Sequence, residues 1–203
     1  SFRQHLKLRE GAIEFSGSGD RFRLFVDSDG NVVHLVGTMS QPRRVTASLE
    51  IWRNKERTLP VSEMRSAWAV HDAPFPLIES ADQLLQTNGT SLTWFHRNDT
   101  SVVPKLWENQ TLIGLPGTWD PLINRTFGGQ LNAKGLTKIT PTQIGSPAAI
   151  RTLDLSIATH TNQSPRTWAA ELGNVAASST TAKATARTIQ WWSKFWDRSW
   201  VFV

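Results

Sequence analysis

Two short stretches, "WFHRNDTS" at 94–101 and "DPLINRTFGG" at 120–129, gather side chains of the kind that hold a sugar. Trp94 and Phe127 offer flat apolar rings able to stack on a sugar ring. His96, Arg97, Asn98 and Arg125 offer hydrogen-bonding groups for its hydroxyls or for a catalytic carboxylate. A structural reading of the same residues is equally concrete. Arg97 and Arg125 would pin the two stretches together through ion pairs and main-chain hydrogen bonds, and Gly128-Gly129 would permit a tight bend. Glycoside hydrolysis needs two carboxylates facing each other across a sugar. The acids near the unusual segments are Asp82, Asp99, Asp120 and Asp197. Asp120 precedes proline and Asp197 precedes arginine, contexts of capping and ion pairing, and no acid pair stands out.

Other chemistries find less support. The five histidines, at 5, 34, 71, 96 and 160, are far apart and form neither H-x-H nor H-E-x-x-H, so no metal site is expected. There is no cysteine, which excludes a disulfide framework and a thiolate metal site. No G-x-S-x-G elbow occurs, and Gly17-x-Gly19 lacks the third glycine and the following helix of a dinucleotide site; no cofactor is expected. The formal charge of +5 is spread over scattered, often alternating basic residues, with no run of five or six. That pattern fits a solvated strand face rather than a nucleic-acid site. No apolar span of transmembrane length is present, so no membrane partner is expected.

The elements that must position these residues are mostly strands. Apolar and polar side chains alternate over 2–9, 12–16 and 21–26, with further strands predicted at 32–38, 44–52 and 64–71. "DSDGN" from Asp27 predicts a hairpin with Gly30 supplying positive φ, and "FSGSGDR" at 15–21 reads as another strand-to-strand turn. After a proline-containing break at 72–90 the pattern predicts a strand at 91–96. A short helix over 100–109 follows, capped by Thr100 or Ser101, and then strands at 128–136 and 149–159. From Asn174 the composition shifts to Ala, Ser, Thr and Lys with helical spacing of Val175, Ala182, Ala186, Ile189, Trp192 and Trp196. The fold class is mainly β: an antiparallel β-sandwich over 1–172, with a C-terminal linker helix over 173–203. Trp191, Trp192, Trp196 and Trp200 crowd that helix, which reads as an interface docking on something large.

Together with "WWSKFWDRSW" at 191–200, the two opening stretches give the sequence a family likeness. It resembles the N-terminal β-sandwich domain of large secreted glycoside hydrolases whose catalytic unit is an (α/α)6 barrel. Within these it is similar to the inverting α-L-fucosidase type and to an uncharacterised fungal and bacterial group in that clan. The resemblance implies a non-catalytic domain that packs on a downstream barrel and shapes its cleft, with the catalytic acid and base beyond Val203. It also implies that Trp94, His96, Arg97, Asn98, Arg125 and Phe127 lie on segments presented to that barrel and to carbohydrate.

Composition is consistent with a folded secreted domain. With 203 residues, ten Trp and nine Phe, the chain has ample apolar surface for a core. Asn88, Asn98, Asn109 and Asn124 open N-x-Ser/Thr sequons, as does Asn162, where the following Pro165 weakens the site. Five such sites among nine asparagines exceed the number that the Ser and Thr content would supply by chance, which points to an extracellular protein. Two other functions remain open: a free-standing carbohydrate-binding module, whose exposed Trp residues would stack on sugar, and a purely structural or adhesive sandwich.

Overall fold

A computed structural model describes residues 1–66, 68–86, 89–114 and 119–199. In chain order the strands are β1 (Arg3–Lys7), β2 (Ala12–Gly17), β3 (Asp20–Val26), β4 (Val32–Arg43), β5 (Thr46–Ser48), β6 (Arg57–Thr58), β7 (Ile78–Glu79), β8 (Gln83–Leu85), β9 (Leu92–Arg97), β10 (Thr126–Ala133), β11 (Thr137–Thr140), β12 (Gln143–Gly145) and β13 (Ile150–Asn162). The helices are α1 (Val61–Met64), α2 (Val103–Asn109), α3 (Pro165–Ser178) and α4 (Thr181–Trp196), with single 3-10 turns at Leu8–Glu10 and Trp68–Val70.

The main layer is an eight-stranded antiparallel sheet in the order β1-β2-β3-β4-β13-β10-β9-β8. Its long central strand β13 pairs with β4 on one side and β10 on the other, so Leu155 faces Leu35 and Ile157 faces Leu131. The period-two alternation sends these residues to one face of the sheet. There a second, smaller sheet in the order β11-β12-β5 closes the sandwich. Ile144 from β12 and Ala47 from β5 pack in one cluster with Leu92, Leu131, Leu153 and Leu155 of the main sheet. Burial of such side chains contributes on the order of 1.5–3 kcal/mol each.

The opposite face is covered by helices. Ser164 caps α3 by accepting the Thr167 N–H at 3.3 Å, and Pro165 occupies the first turn, where its missing N–H costs nothing. Trp168 and Leu172 of α3 bury themselves against Val32 and Ala158. Ala184 of α4 lies on Ala12 and Phe25. The chain is therefore a mainly β antiparallel sandwich with helices on its outer sheet face.

Several local expectations need correction. The helical part begins at Pro165, not Asn174, and consists of two helices broken at Ser179-Thr180. Among the described residues the strand expected over 64–71 is not formed: Met64 ends α1 and Trp68–Val70 make a 3-10 turn, while Ala67 lies outside the described residues. The Asp27–Gly30 hairpin exists, with the Asp27 N–H bonded to the Val32 carbonyl at 2.9 Å, but Gly30 has no positive φ. Instead the Asp27 carboxylate takes the Asp29 N–H at 3.2 Å. Left-handed residues occur in the other hairpin, at Ser18 (φ 50°) and Gly19 (φ 84°), the pairing that matches strand twist. Gly128-Gly129 makes no bend and lies within β10. A Cβ on Gly128 would stand 2.1 Å from the Trp94 carbonyl oxygen, so a close approach of neighbouring strands is what requires glycine there.

Candidate functional site

The two motifs are neighbours in space because β9 and β10 pair directly. His96 lies opposite Phe127, Gly129 opposite Trp94 and Arg97 opposite Thr126. Alternation then divides the six candidate residues. Trp94, His96 and Phe127 share one face of the sheet, and Arg97 points to the other. The His96 and Phe127 rings are 5.2 Å apart. Phe127 and Trp94, with Thr159, Thr161 and Asn31, line a shallow apolar trough.

Arg97 is spent internally. One terminal nitrogen donates to the carbonyls of Asn124 (2.8 Å) and Gln163 (2.7 Å) and to Thr126 Oγ1 (3.0 Å). The other donates to Asn124 Oδ1 at 3.1 Å, and Nε pairs with Asp99 at 2.6 Å. Arg97 therefore ties the end of β9 to the 120–125 loop and to the entrance of α3. That loop is further closed by main-chain bonds, from Asn98 N–H to the Arg125 carbonyl and from Asn124 N–H to the Asn98 carbonyl, at 2.9 and 2.7 Å. The Asn98 side chain donates to the Leu122 carbonyl at 3.0 Å, and Arg125 Nε to the Pro121 carbonyl at 2.8 Å. Asn124 sits in the left-handed region at φ 61°, a conformation asparagine tolerates better than most residues.

His96 is buried and held from the edge of the sheet. Its Nδ1 lies 3.0 Å from Asp82 Oδ1, its Nε2 3.4 Å from Ser80 Oγ, and Arg53 Nε donates to the same Asp82 oxygen at 2.7 Å. The Arg53 guanidinium also stands 5.8 Å from the centre of the Phe127 ring, within cation–π range. Beyond Arg53 opens a depression of about 280 Å³ lined by Glu50, Trp52, Arg53, Arg57, Glu79 and Asp82. Sequence reasoning named Asp82 but not Arg53, Ser80 or Trp52 as site residues. Nothing in the spacing of residues 50–82 marks which of their side chains converge on Asp82, because the contact is made in space between a loop and a strand.

The four acids singled out from the sequence are all engaged. Asp82 holds Arg53 and His96, Asp99 holds Arg97, and Asp197 pairs with Arg9 at 2.8 Å. Asp120 accepts from Ser101 Oγ at 2.5 Å and from the Leu122 N–H at 2.8 Å. The Ser101 hydroxyl and those loop N–H groups hold the Asp120 carboxyl below its ordinary range. Ser101 Oγ also accepts the Val103 N–H at 3.1 Å, but α2 starts at Val103 with Val102 in the N-cap position, not at 100 with Thr100 or Ser101 as the cap. Among the described residues no three His, Cys, Asp or Glu side chains cluster as metal ligands would. No described helix is long and apolar enough to cross a membrane. Of the sequon asparagines, Asn109 and Asn124 are exposed, and Asn88 lies outside the described residues.

An all-antiparallel sandwich with a helix-covered face and an aromatic, polar loop end is the class of protein that this geometry defines. Residues 1–201 match the model of the family DUF5703_N, described as "Domain of unknown function (DUF5703)", and the chain belongs to that family. A solved structure titled "Putative kojibiose phosphorylase from human microbiome" is similar over 96% of this chain and 23% of its own, with 9% sequence identity and a TM-score of 0.48. The chain thus spans less than a quarter of that neighbour's length. No curated protein matches the sequence.

Proposed function

We propose that this chain is the N-terminal, non-catalytic β-sandwich domain of a secreted carbohydrate-active enzyme. In this reading it packs on a downstream (α/α)6 barrel and shapes its cleft, with residues 1–172 as the body and 173–203 as part of the connection to the barrel. The observation that carries the reading is the state of the carboxylates beside the two motifs. Asp82, Asp99, Asp120 and Asp197 are each committed to an arginine, a histidine or a serine of the same chain. An acid–base pair needs one carboxyl poised to protonate a leaving group and another facing water, and these four are held as ion-pair and capping acceptors. The resemblance of the motifs and the family's N suffix support an amino-terminal place in a larger chain. The exposed sequon residues Asn109 and Asn124 support an extracellular one. The sugar and its linkage belong to the barrel.

The test is to assay the 203-residue chain and the full gene product on a panel of aryl glycosides, with and without phosphate. Turnover is expected from the full product and none from the chain. Turnover by the chain itself would remove the reading. A second reading, a free-standing carbohydrate-binding module, is favoured by Trp52 and Trp68, each 92% exposed. It takes over if the gene product ends with this domain.

A further inference from the structure

The depression beside Arg53 has walls that are charged and already set in place. Arg57 donates through Nε to Glu79 at 2.6 Å and through both terminal nitrogens to Glu63 at 2.8 Å. Arg53 is fixed through Nε by Asp82 and lies over the Phe127 ring, and among the described residues its two terminal nitrogens make no hydrogen bond. Glu50 likewise has no partner among them. Trp52, between the two in sequence, stands at the rim with 92% of its surface exposed. An almost fully exposed indole thus lines the same depression as a set of fixed charged groups.

We propose that this depression is a subsite for a single neutral pyranose. The ring of Trp52 would stack on the apolar face of the sugar. The free Arg53 nitrogens would donate to its hydroxyl oxygens, and the Glu50 and Glu79 carboxylates would accept from its hydroxyls. About 280 Å³ is just below the range for drug-sized pockets and suits one sugar ring rather than a longer chain. The charge selects a neutral sugar: the lining carries Glu50, Glu79 and Asp82 beside Arg53 and Arg57, and Glu63 also pairs with Arg57, so a uronate or sulfated ring would meet surplus negative charge. A hydroxyl-rich ring satisfies both the indole and the charged floor. Asp82 joins the subsite to His96 and Phe127, so a sugar held here abuts the paired motifs. The inference deepens the carbohydrate reading above and rests on it only for the biological setting.

The experiment is saturation-transfer NMR on this chain with methyl glycosides of glucose, galactose, mannose, fucose and xylose, with methyl glucuronide as the anionic control. At least one neutral glycoside should bind, and Trp52→Ala should weaken it by about tenfold or more. Its thermal melt should stay unchanged, since the residue is almost fully exposed. Glu50→Gln should weaken binding several-fold with the fold intact. Absence of binding by every neutral glycoside, equal binding of the glucuronide, or undiminished binding by Trp52→Ala would each overturn the subsite. The two proposals fail separately. Trp52-dependent binding in a gene product without a barrel leaves the subsite standing and sinks the accessory-domain reading. A barrel enzyme whose depression stays silent does the reverse.

Discussion

At His34 a chain of hydrogen bonds decides the protonation state of a buried ring. Asp27, whose side chain is sealed from solvent, accepts from Ser179 Oγ and from Arg187 on both carboxylate oxygens. Ser179 having given its proton to Asp27, its oxygen accepts from His34 Nε2 at 3.0 Å. That leaves His34 Nδ1 unprotonated, buried and without a partner, while the ring stacks on Phe25 at 5.0 Å. Burial pushes the imidazole below its ordinary 6.5, and the pull of Asp27 and Asp154 in the other direction does not restore it. The unfolded chain therefore binds this proton more readily than the folded one. Stability from the neutral ring is present above pH 6.5 and is lost as the pH falls through that value towards the lower folded pKa. Burial raises the Asp27 carboxyl, but Arg187, Ser179 and the Asp29 N–H outweigh it and hold the group below 3.8, so its own contribution persists until more acid conditions. The free energy of unfolding in urea should thus decrease as the pH is lowered below 6.5, with a slope of at most about 1.4 kcal/mol per pH unit from this ring. His34→Gln should flatten that part of the profile. An unchanged slope in the variant would show that the ring is not held neutral.

Among the elements, β9 and β10 and the pair α3–α4 carry most of what positions the loop end. Gly128→Ala places a methyl group against the Trp94 carbonyl and the Phe95 Cα, both backbone atoms that cannot step aside. A loss of roughly 1–3 kcal/mol is expected in chemical denaturation, together with shifted signals from His96 and Phe127. A variant as stable as the parent would contradict the close pairing of these strands. The helical pair is clamped to the β3–β4 hairpin by Arg187 on Asp27 and by Ser28 N–H donating to Thr188 Oγ1 at 3.1 Å, and to the turn between β1 and β2 by Trp196 Nε1 donating to the Leu8 carbonyl at 2.8 Å. Arg187→Ala strands a buried carboxylate and should cost on the order of 3 kcal/mol, with protease cleavage appearing first near Ser179. Double variants with Asp27→Asn should recover part of the loss; full additivity would deny the coupling. Much of this layer was legible in sequence, because strands with one buried face announce themselves by alternation. The Ser164-Pro165 signal for the start of α3 was also present, but it was overrun by the expectation of a helix starting at the composition change near Asn174. The Trp52–Arg53–Asp82–His96 grouping was not legible, since it joins an aperiodic loop to a strand through tertiary contact alone. The pinning by Arg97 was readable as one of two alternatives, and its five short contacts tie the end of β9 to the 120–125 loop and to Gln163.

For the whole molecule, one end is built differently from the rest. The segments 50–82 and 98–125 carry the exposed rings of Trp52, Trp68 and Trp119, while Trp191 and Phe195 stack at 5.5 Å on α4, where Trp191 remains half exposed. The helical arm is thus docked on its own body along Ala184, Thr188 and Trp196 and still presents an aromatic edge outward. On this account sequon use should divide by geometry. In a secretory host, Asn109 and Asn124 should carry glycan in mass spectra of intact peptides, and Asn98, whose amide is tied to the Leu122 carbonyl, should not. A glycan on Asn98 would mean that the 120–125 loop opens before folding is complete.

The central claim, that the loop end and the outer edge of α4 face a catalytic barrel in the same polypeptide, is tested most directly by hydrogen exchange of the isolated chain against the full gene product. New protection confined to 50–82, 98–125 and the Trp191 side of α4 is the expected result. Identical exchange at those segments in the two proteins would contradict it.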